Sequence, residues 1–307
     1  MTEKLLFWID VTYTQFGIAK FLQEKIAADF YVIYDVNHHL KKSFENQKLV
    51  NFTKSWFFWD HVNKKNLKKP DLKYLTEFEN KLQDAETIFD KIPGSTFTNG
   101  GFIKFGPDGK LYVGTGTISD SSHLPQDLDS LSGKILRLND DGTIPDDNPF
   151  SDSPVYSLGH RNPQGMTWDD DGNMFVAEIG PEKNDEINLI QAGKNYGWPE
   201  QQCSGKDQFE DAILCYDPSI EPGGILFYSG EKLNFESPFI MASMRAANLF
   251  QVDFEEGLSS QKSILSGIGR VRDVVQGPDG SLYVITSNTD GKGFPDSMDD
   301  KLLRILK

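Results

Sequence analysis

A repeated hairpin built around an Asp-Gly turn constrains the fold of this chain more than any other sequence feature. Apolar runs flank Asp-Gly in IKFGPDGKLYVGTG, MTWDDDGNMFVAEIG and VVQGPDGSLYVITS. Asp-Gly between such runs predicts a hairpin, because a type I′ turn needs positive φ at both central residues. The turn residues Asp108, Asp171 and Asp279 lie 63 and then 108 residues apart. The second gap is two periods of roughly 54 residues, which is typical of β-propeller blades.

One more blade is expected between the second and third hairpins, where the apolar runs ILFYSG and FIMASMRAANLFQVDF lie. The pattern therefore predicts about four blades from residue 94 to the end of the chain. We assign residues 94–307 to an all-β propeller.

The first part of the chain has a different composition. Gly17 is the only glycine before Gly94. Residues 1–75 contain 12 Lys and Arg against 8 Asp and Glu, a net charge of +4; the whole chain carries −15, so the rest carries −19. This shift predicts a small α/β segment over 1–75, resembling a Rossmann fragment, and a helical linker over 76–93.

The elements expected in this segment alternate between strands and helices. Apolar runs predict strands at 5–10, 29–35 and 55–60, and helical spacing predicts helices at 13–28 and 71–92. A strand, a helix and a second strand in this order favour a parallel strand pair. No glycine-rich phosphate loop is present, which disfavours a nucleotide-sugar enzyme in this segment.

Composition excludes some partners. The charge of −15 disfavours a nucleic-acid backbone as partner, and no apolar run approaches the length of a membrane span. Asp10 interrupts the apolar run near the amino terminus, so we expect no signal peptide there. Cys203 and Cys215 lie 12 residues apart in one polar loop, where a disulfide and two reduced thiols fit equally well.

Residues 156–200 hold the candidate site. Three loops, LGHRNPQG, EIGPEKNDEINLI and GKNYGWP, separate the apolar runs of this stretch. Their Gly and Pro residues would expose backbone carbonyls which, together with carboxylates such as Asp185 and Glu186, suit hard cations. The Arg161 guanidinium is always positively charged and has several N–H donors in one plane, which suits a carboxylate or a developing oxyanion.

These loops belong to a set of ordered motifs: LSGKILRLNDDGTIPDDNPF, GHRNPQG, EIGP with NDEINLI, GKNYGWP and GRVRDVVQGPDGSLYV. From about Ile92 to the carboxyl terminus the chain resembles the soluble sugar dehydrogenases that depend on pyrroloquinoline quinone (PQQ), the glucose/sorbosone dehydrogenase family. The resemblance implies a six-bladed propeller with the quinone on its axis. It also implies oxidation of aldose sugars at C1 to lactones and transfer of electrons to an external acceptor.

The resemblance also implies roles for individual residues. Arg161 and Asn162 match the loop that contacts the reactive carbonyl of the quinone and are the candidate catalytic residues. The carbonyls of Gly180 and Pro181 match those that hold the Ca²⁺ next to the cofactor. Two further sets follow from the same motifs: Glu186 with the Tyr196 carbonyl at a second, structural Ca²⁺ site, and Arg245, Arg270 and Arg272 at the cofactor.

This sequence departs from the family pattern at the position of the catalytic base. Thr98 stands where the family has the histidine that removes the proton from the sugar hydroxyl, and neutral threonine cannot serve as a base at pH 7. Thr117 and Ile179 also replace residues that are usual beside the cofactor. His160 belongs to a family motif as a supporting residue, and the remaining nearby histidine, His123, is expected to be a solvated loop residue.

The other departure is blade number, because about four blades are predicted where the family has six. An open arc exposes strand edges, so self-association through those edges and covering by the amino-terminal segment are both open alternatives. A non-catalytic propeller that binds carbohydrate or protein is the alternative function. A Ca²⁺-dependent lactone hydrolase has no further supporting residues. The family is usually periplasmic or extracellular, and the sequence leaves the compartment open.

Overall fold

The computed structural model describes residues 3–9, 28–34, 54–57, 87–120, 122–254 and 260–306. By their internal contacts, residues form two compact units: Met1–Glu86 with Ser287–Leu302, and Thr87–Thr286 with Leu303–Lys307. Among the described residues, no helix is long and apolar enough to cross a membrane.

A three-stranded parallel sheet lies in the first unit. Its strands are β1 (Glu3–Ile9), β2 (Ala28–Tyr34) and β3 (Lys54–Phe57), in the order β1-β2-β3. Both strand pairs are parallel, which confirms the three predicted strands and the predicted parallel pair. The predicted helix at 13–28 lies outside the described residues except for Ala28, which begins β2.

The linker differs from the prediction where it is described. Residues 87–99 contain no helix, although we expected a helix to continue to 92. Pro93 and Gly94 lie within this stretch, and both residue types disfavour a helix that continues through them. The rest of the expected linker helix lies outside the described residues.

Four antiparallel sheets form the second unit and confirm the four predicted blades. The strands of the first two blades, from inside outwards, are β4 (Gly100–Phe105), β5 (Leu111–Thr115), β6 (Lys134–Leu138), β7 (Val155–Leu158); and β8 (Pro163–Trp168), β9 (Met174–Glu178), β10 (Asp185–Ile190), β11 (Leu214–Tyr216). Those of the third and fourth blades are β12 (Pro222–Phe227), β13 (Phe239–Ser243), β14 (Asn248–Asp253), β15 (Ser260–Ser266); and β16 (Val271–Gln276), β17 (Leu282–Thr286), β18 (Leu302–Ile305).

The blades follow one another around an arc. The inner strands contact in chain order, β4 with β8, β8 with β12 and β12 with β16. Two glycines allow this close approach, because a side chain at Gly165 would meet the backbone of Gly223, and one at Gly223 would meet the carbonyl of Arg272. Apolar side chains fill the space between neighbouring blades; Ile240, Leu249, Leu282 and similar residues make one such cluster.

The inner strands at the two ends of the arc expose apolar side chains. Ile103 and Phe105 on β4 are 64% and 58% exposed, and Val275 on β16 is 53% exposed. Since side chains alternate along a strand, these residues face away from Phe102 and Val274, which pack towards the neighbouring blades. The outward faces of the end blades therefore carry apolar surface.

Candidate functional site

Six of the candidate residues lie at one end of the blades. In an antiparallel blade, the loop between the second and third strands opens at the same end as the connection to the next blade. Arg161–Asn162 connect β7 to β8, Gly180–Pro181 lie between β9 and β10, and Arg245 lies between β13 and β14. Arg270 directly precedes β16. The three Asp-Gly turns connect first and second strands and therefore lie at the opposite end.

The Arg161 side chain is buried at this end and is held by four hydrogen bonds. It is 8% exposed, and Nε and Nη2 donate to the two carboxylate oxygens of Asp120, each at 2.9 Å. Nη1 donates to the carbonyls of Ile179 at 2.9 Å and Gly180 at 2.7 Å. The guanidinium carbon also lies 5.3 Å from the centre of the Trp198 ring. Its planar fork thus already binds one carboxylate in the bidentate geometry that suits such groups.

Thr98 and the Arg161–Asn162 loop are neighbours in the structure. The Thr98 hydroxyl donates to the carbonyl of Thr117 at 2.7 Å, and the Thr117 amide donates to the carbonyl of Arg161 at 2.7 Å. The Asn162 side-chain oxygen accepts from the Gly100 amide at 3.1 Å. Thr98 has φ +59°, a conformation that β-branched residues rarely adopt.

Four of the predicted residues line one small cavity that is partly open to solvent. Its lining includes Arg161, Gly180, Pro181 and Glu186, together with Gly159, Glu178, Ile179, Asn184, Trp198 and Gln202. Ile179 is half-buried there, whereas His123 is an exposed residue before the short 3-10 helix Leu124–Gln126. The cavity joins the residues expected at the quinone carbonyl to those expected at the calcium ions.

Glu186 faces a second carboxylate across the sheet. Glu186 on β10 pairs in register with Glu178 on β9. The Glu186 carboxylate accepts from the Cys203 amide at 2.6 Å and from Asn188 Nδ2 at 3.1 Å. Burial, together with the nearby charge of Glu178, raises the pKa of Glu186 to about 7. A cation beside Glu186 would relieve this repulsion, so the carboxylate pair fits a hard divalent ion.

The ring of Tyr196 packs against a buried hydrogen-bond chain. The Tyr196 and His160 rings stack with centres 4.9 Å apart. His160 is fully buried and bonds Ser157 Oγ through Nε2 at 2.8 Å and the Glu178 carboxylate through Nδ1. The second Glu178 oxygen accepts from the Arg161 amide at 3.0 Å. This chain fixes the backbone of the Arg161 loop, which agrees with a supporting role for His160.

The other three predicted arginines belong to the third blade, the fourth blade and the connection between them. Arg245 and Arg270 bind the two carboxylate oxygens of Glu221 at 2.7 and 2.9 Å. Arg272 Nη1 lies 3.1 Å from the sulfur of Met244. These arginines do not line the cavity that contains Arg161.

Asp185 connects the two groups of residues. It is fully buried; Oδ1 accepts from the Gly180 amide at 2.9 Å. Oδ2 accepts from the Ser219 hydroxyl and from the amides of Ile220 and Glu221 at 2.7 to 2.8 Å. One carboxylate therefore joins the Gly180 loop of the second blade to the loop that enters the third.

The sequence indicated Asp185 only as one of the carboxylates suited to a hard cation, and it did not single out Asp120, Glu178 or Glu221. Each binds a partner far along the chain, so no local spacing identifies it. The available signal was the TGTISD stretch, which follows a predicted strand at the same end of the blade as Arg161.

Of the two alternatives left open for the cysteine pair, the structure has the disulfide. Cys203 and Cys215 are bonded, with Cα atoms 5.7 Å apart. No group of three or more His, Cys, Asp or Glu side chains is arranged to hold a metal ion within the described part of the chain. The calcium sites expected from the sequence rely largely on backbone carbonyls.

A family model described as Glucose / Sorbosone dehydrogenase matches residues 34–304. The chain belongs to the glucose/sorbosone dehydrogenase family. The match begins inside the α/β segment, further towards the amino terminus than the motifs reach.

Relatives and solved structures agree with this membership. The chain is 32% identical to the aldose sugar dehydrogenase YliI of Escherichia coli, over 71% of this chain and 65% of that protein. It is 25% identical to quinoprotein glucose dehydrogenase B of Acinetobacter calcoaceticus, over 68% and 63%. The PQQ-bound aldose sugar dehydrogenase of Streptomyces coelicolor is 39% identical, with a TM-score of 0.64, over 71% of this chain and 65% of that one. The chain thus spans 59 to 65% of the length of the first three curated relatives.

Proposed function

We propose that this chain binds PQQ and Ca²⁺ and oxidises aldose sugars at C1 to lactones, with electrons passing to an external acceptor. The observation that supports this most directly is the cavity shared by Arg161, Gly180, Pro181 and Glu186. The family includes proteins named for PQQ and for aldose sugars. The comparisons do not favour the alternative of a non-catalytic binding propeller.

The residues present suit a polycarboxylate quinone. Arg161 and Asn162 would meet its reactive carbonyl, and Arg245, Arg270 and Arg272 its carboxylates. Arg161, Arg245 and Arg270 already donate hydrogen bonds to the carboxylates of Asp120 and Glu221, which supports their assignment to carboxylate groups of a ligand. When bound, the quinone would accept both electrons as the hydride released at the sugar C1.

Calcium would be held at two places. At the Gly180–Pro181 loop the Gly180 carbonyl accepts from Arg161 and so already meets a cationic donor. At the second place the Glu186 and Glu178 carboxylates, with the Tyr196 carbonyl near them in the chain, provide hard oxygen ligands. Asn188 Oδ1 is buried there and has no hydrogen-bond partner.

The chain's own residues orient a substrate better than they deprotonate it. Asp120 and two carbonyls hold Arg161 in place, so it can direct a donor at an oxygen without reorganising. Thr98 cannot remove a proton, and its hydroxyl is already hydrogen-bonded to Phe97 and Thr117. We therefore propose a weak dehydrogenase, because a positioned base typically contributes about 10²- to 10⁴-fold in rate.

Reconstitution with PQQ and Ca²⁺ tests the proposal, with cofactor absorbance reporting binding and dye reduction with glucose reporting turnover. Thr98→His should raise turnover without changing cofactor binding. Thr98→Asn is the matched control, since both histidine and asparagine tolerate φ +59° but only histidine is a base. Equal turnover of the two variants would contradict the role assigned to position 98, and absence of cofactor binding by the wild-type chain would contradict the function.

Self-association is a further part of the proposal. A six-bladed ring needs two blades beyond the four described, and the exposed side chains of Ile103, Phe105 and Val275 offer apolar surface at both ends of the arc. Sedimentation velocity of the wild-type chain and of Phe105→Ser should show a concentration-dependent oligomer only for the former. A wild-type chain that stays monomeric at all concentrations would contradict this part.

A further inference from the structure

Glu221 lies between two of the arginines proposed to bind the cofactor. One carboxylate oxygen accepts from Arg245 Nη2 at 2.7 Å and the other from Arg270 Nη2 at 2.9 Å. Glu221 is 4% exposed and Arg270 8%, while the Arg245 side chain is 48% exposed. A carboxylate shared by two guanidiniums in this way has the same chemistry as a ligand carboxylate bound by them.

The backbone of Glu221 is in an unusual conformation. Its φ is +49°, in the left-handed region where glutamate is uncommon. The Glu221 amide donates to Asp185, which fixes the residue at the start of the third blade. The chain thus holds a negative charge against the two arginines.

We propose that Glu221 is an internal counter-ion that competes with the cofactor's carboxylates for Arg245 and Arg270 and so lowers the affinity of this site for polycarboxylate ligands. This inference rests on the proposed function, because it assigns these arginines to the same cofactor. It adds that the chain carries its own regulator of cofactor affinity.

Two effects of opposite sign decide the outcome of removing the charge. At an effective dielectric of about 20, a negative charge about 6 Å away weakens binding of another by about 100-fold. Losing the orientation of a flexible arginine costs up to about tenfold. The electrostatic effect is larger, so removal of the Glu221 charge should tighten binding by about tenfold.

The experiment titrates the Ca²⁺-loaded chain with PQQ and with its uncharged trimethyl ester, following tryptophan fluorescence. Glu221→Gln removes the charge at nearly constant shape, and Glu221→Asn removes it with a residue that tolerates φ +49°. Glu236→Gln is the matched control, because Glu236 is 78% exposed and pairs with Lys262 at the surface. Thermal melts establish which variants are folded.

A folded Glu221 variant should bind PQQ about tenfold more tightly than the wild-type chain, with no gain for the ester. Glu236→Gln should change the binding of PQQ by less than twofold. In the wild-type chain, the dissociation constant of PQQ should be at most about tenfold lower than that of the ester. Wild-type binding of PQQ with no gain, or a loss, in the Glu221 variants would overturn the inference alone. Absence of PQQ binding by every form would overturn the proposed function and the inference with it.

Discussion

Replacement of Glu186 by glutamine should change how the stability of the second unit depends on pH. Glu186 has its pKa raised to about 7 by burial and by the charge of Glu178. In the unfolded chain a glutamate ionises near 4.5. Below about pH 4.5 the residue is protonated in both the folded and the unfolded chain, so its burial does not lower the free energy of unfolding. As pH rises to 7 and above, the unfolded chain releases the proton first and stability declines.

The size of the effect follows from the shift. A pKa difference of about 2.5 units corresponds to about 3 kcal/mol of unfolding free energy between pH 4.5 and pH 7. For a unit of this size, 1 kcal/mol changes the melting temperature by about 2–4 °C. About 2.5 kcal/mol of this falls between pH 5 and pH 8, so without calcium the wild-type chain should melt about 5–10 °C lower at pH 8 than at pH 5 through this residue. Glu186→Gln should lose that part of the dependence.

Differential scanning calorimetry in a chelating buffer measures the effect at pH 5, 6, 7 and 8. Glu182→Gln is the control, because Glu182 is an exposed acid in the same loop. Calcium should stabilise the wild-type chain more at pH 8 than at pH 5, because the ion binds the ionised carboxylate. Identical pH profiles for the wild-type chain and Glu186→Gln would refute the raised pKa of Glu186 and the burial and Glu178 charge to which it is assigned.

Three further changes test particular contacts by chemical denaturation. Lys134→Met should destabilise by about 2–4 kcal/mol, because the buried ammonium donates to three carbonyls at 2.7 to 3.0 Å, and an effect below 1 kcal/mol would contradict this role. Asp185→Asn should cost about 2–4 kcal/mol and also weaken calcium binding; unchanged stability would show that its four bonds are dispensable. Replacing Cys203 and Cys215 together by serine should cost up to about 3 kcal/mol, and a reducing agent should affect only the wild-type chain.

The sequence predicts those parts of the fold that local chemistry determines. Asp-Gly turns specify hairpins within a few residues, so the blades that contain Asp108, Asp171 and Asp279 were predictable. The parallel strands β1 to β3 follow likewise from short apolar runs. The irregular structure of residues 87–92 was not predictable in this way, because the charged helical pattern of the sequence continues through them.

The candidate site was predictable only in part. Arg161 and the Gly180–Pro181 loop belong to motifs, and the structure brings them to one cavity. Asp120 and Glu221 bind arginines that lie 41 and up to 49 residues away, and isolated acidic residues are usually solvated. The pairing of an acid with a distant base depends on tertiary packing, and no periodicity in the sequence records it.

The segregation of the Asp-Gly turns from the candidate site has a practical consequence for immobilisation. The tips at residues 108–109 and 171–172 are exposed, and they lie at the end of the blades away from Arg161. A linker or a thiol introduced at such a tip would tether the chain to an electrode with its site facing the solution. Attachment through one of these turns would thus give every molecule the same orientation on the electrode and would leave the residues around the cavity unchanged.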